Sequence, residues 1–178
     1  MNEEYISTQI AVYKNSKTLL EFHDKLKVAS MYSYAHIHAD GEDNGDGRRK
    51  HSLIGILMKD YSGGTGDKAV TVKANISPEE AKFILSRITT GFSEYTFQQE
   101  KIFGQKDEKG YAQVTKVRFI RALKDSKGNA RKIPWYVEVE NGKGIPLKNA
   151  TGGTYMKSGS FISTGKVYAN LTDLDLFK

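Results

Sequence analysis

Residues 72–83 read VKANISPEEAKF, and residues 167–178 read VYANLTDLDLFK. At a spacing of 95, Val72, Ala74 and Asn75 recur as Val167, Ala169 and Asn170, while Ile76 and Ser77 are answered by Leu171 and Thr172. Before each asparagine the residues alternate with period two, the pattern of a half-buried strand. After it comes a helix start: a hydroxyl followed three residues on by an acid, Ser77 with Glu80 and Thr172 with Asp175. Each hydroxyl is placed to accept from an unpaired N–H of the first turn. The first pair is a full capping box, strengthened by Pro78 at the first helical position, and the second is a weaker aspartate version. Ala81, Ile84, Leu85 and Ile88 follow at i, i+3, i+4 and i+7, an apolar stripe expected to lie on a sheet.

Working back from each joint, the first half has strand patterns at YISTQIAVY, YSYAHIHA, HSLIGILMKDY and KAVTVKANI. The second half has them at EYTFQQEKIF, YAQVTKVRFIRAL, KIPWYVEVE and GKVYANL. SKTLLEFHDKLKVAS (residues 16–30) fits a short helix or an extra strand, and periodicity does not decide between them. The expected fold is α+β, a tandem pseudo-symmetric repeat of four antiparallel strands plus one helix. Residues 1–93 form one unit and 94–178 the other, packed as a single domain about a pseudo-twofold axis. Only six residues follow Thr172, fewer than two helical turns. A natural chain continuing past residue 178, or a partner covering the stump, is the expectation.

Composition agrees with a strand-rich protein: 178 residues, 38% hydrophobic, with Gly 17 against Pro 3. The absence of Cys removes disulfides and thiolate zinc sites from consideration. No apolar run is long enough for a membrane helix, so a cytoplasmic location away from the membrane is expected. The formal charge is +6, yet residues 101–132 alone hold ten Lys or Arg against three acids, a surplus above that of the whole chain. Such a concentration attracts phosphates or anionic surfaces, although a solvated face gives the same composition.

Binding an unpaired strand without sequence preference needs cations for the backbone and flat rings for the bases. In MYSYAHIHA the positions Tyr32, Tyr34, His36 and His38 share one strand face, and small or apolar residues take the other. That row either forms an outward platform or faces a core. Arg48, Arg49 and Lys50 cluster in the turn that follows. In the second half Lys116 and Arg118 share one face, while Arg121 accompanies Val117 and Phe119 on the other, and Arg131 and Lys132 close the next turn. Trp135, Val137 and Val139 are expected in the core, with Ile133 on the same side. Tyr136, Glu138 and Glu140 would lie outside, the acids pairing with Lys116 or Arg118 across the hairpin.

Rival chemistries are weaker. Asp40, Glu42, Asn44 and Gly45 begin like a calcium loop, but His51 stands where a bidentate Glu is required. His36, His38 and Asp40 are too few ligands for a convincing metal site. No P-loop, nucleophile elbow or triad spacing occurs. A binding protein without cofactor or metal, not an enzyme, is therefore expected. An acidic protein partner, or RNA in place of DNA, remains an alternative to single-stranded DNA.

Four strands and a helix, stated twice in tandem, resemble the Whirly and PC4-like family of single-stranded nucleic-acid-binding domains. YISTQIAVYKNSKTLLEFHDKLKVASMYSYAHIHAD, HSLIGILMKDYSGGTGDKAVTVKANISPEEAKFI and VEVENGKGIPLKNATGGTYM also resemble a family of uncharacterised proteins carried on mobile conjugative elements of gut Firmicutes. The first resemblance implies binding of unpaired DNA along sheet surfaces and edges, commonly as a dimer or larger homo-oligomer. The lysine-glycine-lysine-alanine assembly motif of Whirly proteins is not found in this sequence. The second resemblance implies a role in conjugative transfer or replication of a mobile element.

Overall fold

The computed structural model describes residues 7–27, 43, 45 and 49–177. Two four-stranded antiparallel sheets hold nearly all of the regular structure. The first contains β1 (Gln9–Lys14), β2 (Thr18–Lys25), β3 (Leu53–Asp60) and β4 (Val70–Ile76), neighbours in that order, and is followed by helix α1 (Pro78–Thr89). The second contains β5 (Glu94–Phe103), β6 (Ala112–Ala122) and β7 (Trp135–Gly144). A small hairpin of β8 (Pro146–Lys148) and β9 (Thr154–Met156) precedes its last strand, β10 (Ile162–Leu171), and helix α2 (Asp173–Phe177). Its spatial order is β10-β7-β6-β5.

The strand registers of the two sheets correspond. Met58 sits between Leu20 and Val72 in the first sheet, and Val139 sits between Val117 and Val167 in the second. One step along, Ile56 lies between Phe22 and Ala74, and Val137 lies between Phe119 and Ala169. These inward residues form one core shared by both sheets, with Met58, Val72, Trp135, Val137 and Val139 fully buried. Phe22 and Phe119 meet across it at 6.4 Å. Each fully buried side chain of this size contributes about 1.5–3 kcal/mol. Asn141 adds a polar lock: its side-chain amide donates to Lys73 O (2.7 Å) and its carbonyl accepts from Lys73 N (2.8 Å), tying β7 to the backbone of β4.

Both helix starts form as the spacing requires. Ser77 Oγ accepts from Glu80 N at 3.1 Å and Ser77 N donates to Glu80 Oε2 at 2.7 Å. Thr172 N donates to Asp175 Oδ2 at 2.8 Å, and Asp175 N donates to Thr172 Oγ1 at 3.2 Å. Ile84 and Ile88 are buried, but Leu85 is 55% exposed, so the stripe is narrower than its spacing indicates.

The first sheet departs from expectation in its second strand. The ambiguous stretch after Ser16 supplies β2, which pairs with both β1 and β3 and completes the four strands. Leu20 and Phe22 alternate into the core, but Thr18 and Leu19 before them are also buried, and that break in the alternation is what hid the strand period. YSYAHIHA, expected as that strand, lies outside the described residues. In the second sheet β7 begins at Trp135, after Pro134, which has no N–H for a ladder. Ile133 is 43% exposed and stands outside the core it was expected to join.

Candidate nucleic-acid interface

Period-two alternation turns Tyr136, Glu138 and Glu140 of β7 away from the core, alongside Lys116 and Arg118 of β6 and Lys166 and Tyr168 of β10. The registers set these into cross-strand rows: Tyr168, Glu138, Arg118 and Gln98 in one, Lys166, Glu140, Lys116 and Glu100 in the next. Tyr136 and Tyr168, diagonal neighbours, stack with centroids 5.4 Å apart and planes inclined by 25°. Tyr168 is 53% exposed.

Beneath this pair Glu138 is only 1% exposed, although it belongs to the outer face. Tyr136 O–H donates to its Oε2, Lys166 Nζ stands 2.7 Å from the same oxygen, and Arg118 Nη1 lies 3.4 Å from Oε1. Burial alone would raise the carboxyl, yet hydrogen bonds from Lys166 and Tyr136 and the two positive charges outweigh it and hold Glu138 below the ordinary glutamate range. Burial, with the hydrogen bond to this carboxylate, pushes the Tyr136 phenol well above its usual value, so it stays a neutral donor. Lys116 is held between Glu100 (3.4 Å) and the face of Phe161, 3.7 Å from its ring centroid. The expected pairing across the hairpin is thus present between Arg118 and Glu138, whereas Lys116 turns to β5.

The remaining sequence candidates are dispersed. Tyr32, Tyr34, His36, His38 and Arg48 lie outside the described residues. Arg49 is exposed and its backbone forms an isolated antiparallel bridge with that of Asp43, and half-buried Lys50 precedes β3. Arg121 is inside: its Nε and Nη2 donate to Asp173 at 3.0 and 2.9 Å, its Nη1 donates to Phe92 O, and its side chain is 10% exposed. Trp135 Nε1 donates to the same aspartate at 2.7 Å. Arg121 therefore ties α2 to the sheet instead of facing solvent. Arg131 and Lys132 occupy the β6–β7 connection, beyond the Arg121–Trp135 end of the second sheet. Among the described residues no three His, Asp or Glu side chains gather as a metal site. No helix among them is long and apolar enough to cross a membrane.

Sequence reasoning missed Tyr168 and Lys166. Their signal was present in KVYANL, where Lys166, Tyr168 and Asn170 alternate with Val167, Ala169 and Leu171. It also missed a cleft of about 790 Å³ at the opposite end of the second sheet from Arg131. Along the inner face of that sheet the core row Gln99, Val117 and Val139 gives way to Lys101, Thr115 and Asn141, then to Phe103, Gln113 and Lys143. Those last two rows, with Lys25 and Lys73 from the first sheet, line the cleft.

No family model matches the chain, and no curated protein or solved structure matches it either.

Proposed function

We propose that this chain is a sequence-tolerant single-stranded nucleic-acid-binding protein, a binder and not an enzyme, with single-stranded DNA as its ligand. The observation that carries this reading is the Tyr136–Tyr168 pair on an open sheet face. Tyr168 offers an exposed ring on which a base can stack, and its partner Tyr136 is anchored through its hydroxyl to buried Glu138. Stacking on aromatic side chains is tolerant of sequence because every base has a π-face. Arg118 and Lys166 pair with the same Glu138 that anchors Tyr136, and Lys116 pairs with Glu100 in the adjacent cross-strand row.

The corresponding registers and the paired capping motifs support reading the halves as a duplicated four-strand-plus-helix unit, of the Whirly and PC4-like kind. A homo-oligomer engaged in mobile-element transfer or replication follows from the sequence resemblance. The test is fluorescence anisotropy with labelled oligo-dT. Tyr168→Ala should weaken binding by about 5- to 150-fold, matching about 1–3 kcal/mol for one stacked base. Parent-like affinity in that variant removes the tyrosine pair from the interface.

A further inference from the structure

The cations around the tyrosine pair are committed to carboxylates: Arg118 and Lys166 to Glu138, and Lys116 to Glu100. That face can stack bases, but it has little free positive charge with which to hold a phosphate backbone. The cleft at the end of the second sheet has that charge. Lys25, Lys73, Lys101 and Lys143 line it, and Glu100 is the one acid among its described lining residues.

The four ammonium groups are not equally engaged. Lys101 lies 3.6 Å from Glu80, and Lys143 lies 3.1 Å from Asp107 outside the cleft. Among the described residues Lys25 donates only to the neutral side chain of Asn75, at 2.8 Å, passing over Gly55, where a Cβ would meet its side chain. Among the described residues neither Lys25 nor Lys73 has a carboxylate partner. The floor between them is neutral and hydrogen-bonding, from Asn75, Gln113, Thr115 and Asn141, and Phe103 stands 46% exposed among the lining residues. Lys73 is fixed in place through its backbone by Asn141.

We infer that this four-lysine cleft is the track for the phosphodiester backbone of the bound single strand, with Lys25 and Lys73 as its principal contacts. The inference rests on the single-strand reading above and adds where the phosphates go. Each lysine that neutralises a phosphate on a single strand adds about 0.7 to the slope of log affinity against log salt.

The experiment measures oligo-dT anisotropy across a salt series for the parent, for Lys25→Gln/Lys73→Gln, and for Lys14→Gln/Lys17→Gln, exposed residues at the β1–β2 turn, at the other end of β2 from Lys25. The expected result is a loss of affinity in the cleft variant, with a slope shallower by about 1.4, and parent-like behaviour in the distal variant, which carries the same charge change. Equal slopes in all three proteins, with Tyr168→Ala still weak, overturn the cleft while leaving the stacking face standing. Equal losses in both double variants make the effect one of net charge and also overturn it. Tripolyphosphate that competes as strongly as unlabelled oligo-dT at equal phosphate assigns the cleft to a free polyphosphate and overturns the strand track. Failure of the parent to bind oligo-dT under any salt condition removes the single-strand reading itself.

Discussion

Tyr136 and Tyr168 touch the same solvent face but carry different duties. The hydroxyl of Tyr136 donates to a buried carboxylate, so Tyr136→Phe should cost about 1.5–3 kcal/mol of stability by urea unfolding while the retained ring keeps oligo-dT binding near that of the parent. Among the described residues Tyr168 has no such anchor, and its truncation should cost affinity with little change in stability. Glu138 provides a second residue-level test. Its folded-state pKa is depressed, so its stabilisation is whole above the ordinary unfolded value of about 4.3 and is lost as pH falls through the lower folded value. Asp173, lowered by its hydrogen bond to Arg121, acts in the same direction. Thermal midpoints measured from pH 6 downward should therefore fall in the parent, and Glu138→Gln should flatten part of that fall. An unchanged acid slope in the variant would show that the buried carboxylate is not coupled to folding.

At the scale of elements, two helix starts built on one plan serve helices of unequal length. Ser77 caps a helix of 12 residues that contributes Ile84 and Ile88 to the core, whereas Thr172 caps one of 5. Ser77→Ala should destabilise the protein by about 1 kcal/mol, and Thr172→Ala should cost less, because little helix depends on that cap. Denaturant midpoints of the two variants check the order, and a larger loss at Thr172 would mean that α2 anchors the core more firmly than its length indicates. The capping residues were legible in the sequence because their chemistry is local, three residues apart. The same holds for β5, whose bounds match EYTFQQEKIF, since clean alternation needs no tertiary information. β2 was not legible: three consecutive buried residues, Thr18, Leu19 and Leu20, erase the period that marks a strand.

At the scale of the whole molecule, the shared core was readable from the alternating Val, Ile and Trp positions, but the cleft was not. Lys25, Lys73, Lys101 and Lys143 belong to β2, β4, β5 and β7, strands of both sheets, and only the packing of the two sheets brings them together. A count of charge along the chain pointed to residues 101–132, of whose cations only Lys101 is among the described lining residues, while Arg121 proved to be half-buried against Asp173 and Lys116 and Arg118 proved to be paired within the sheet. The tyrosine pair likewise depends on β10 joining β7, a contact between strands separated by the β8–β9 hairpin. The most direct measurement is competition: labelled oligo-dT bound to the parent protein, challenged with unlabelled single-stranded DNA, duplex DNA and single-stranded RNA. Displacement by the single-stranded DNA at far lower concentration than by the duplex is the expected result. Equal displacement by the duplex, or no complex to displace, would contradict it, and stronger displacement by RNA would change the assigned ligand.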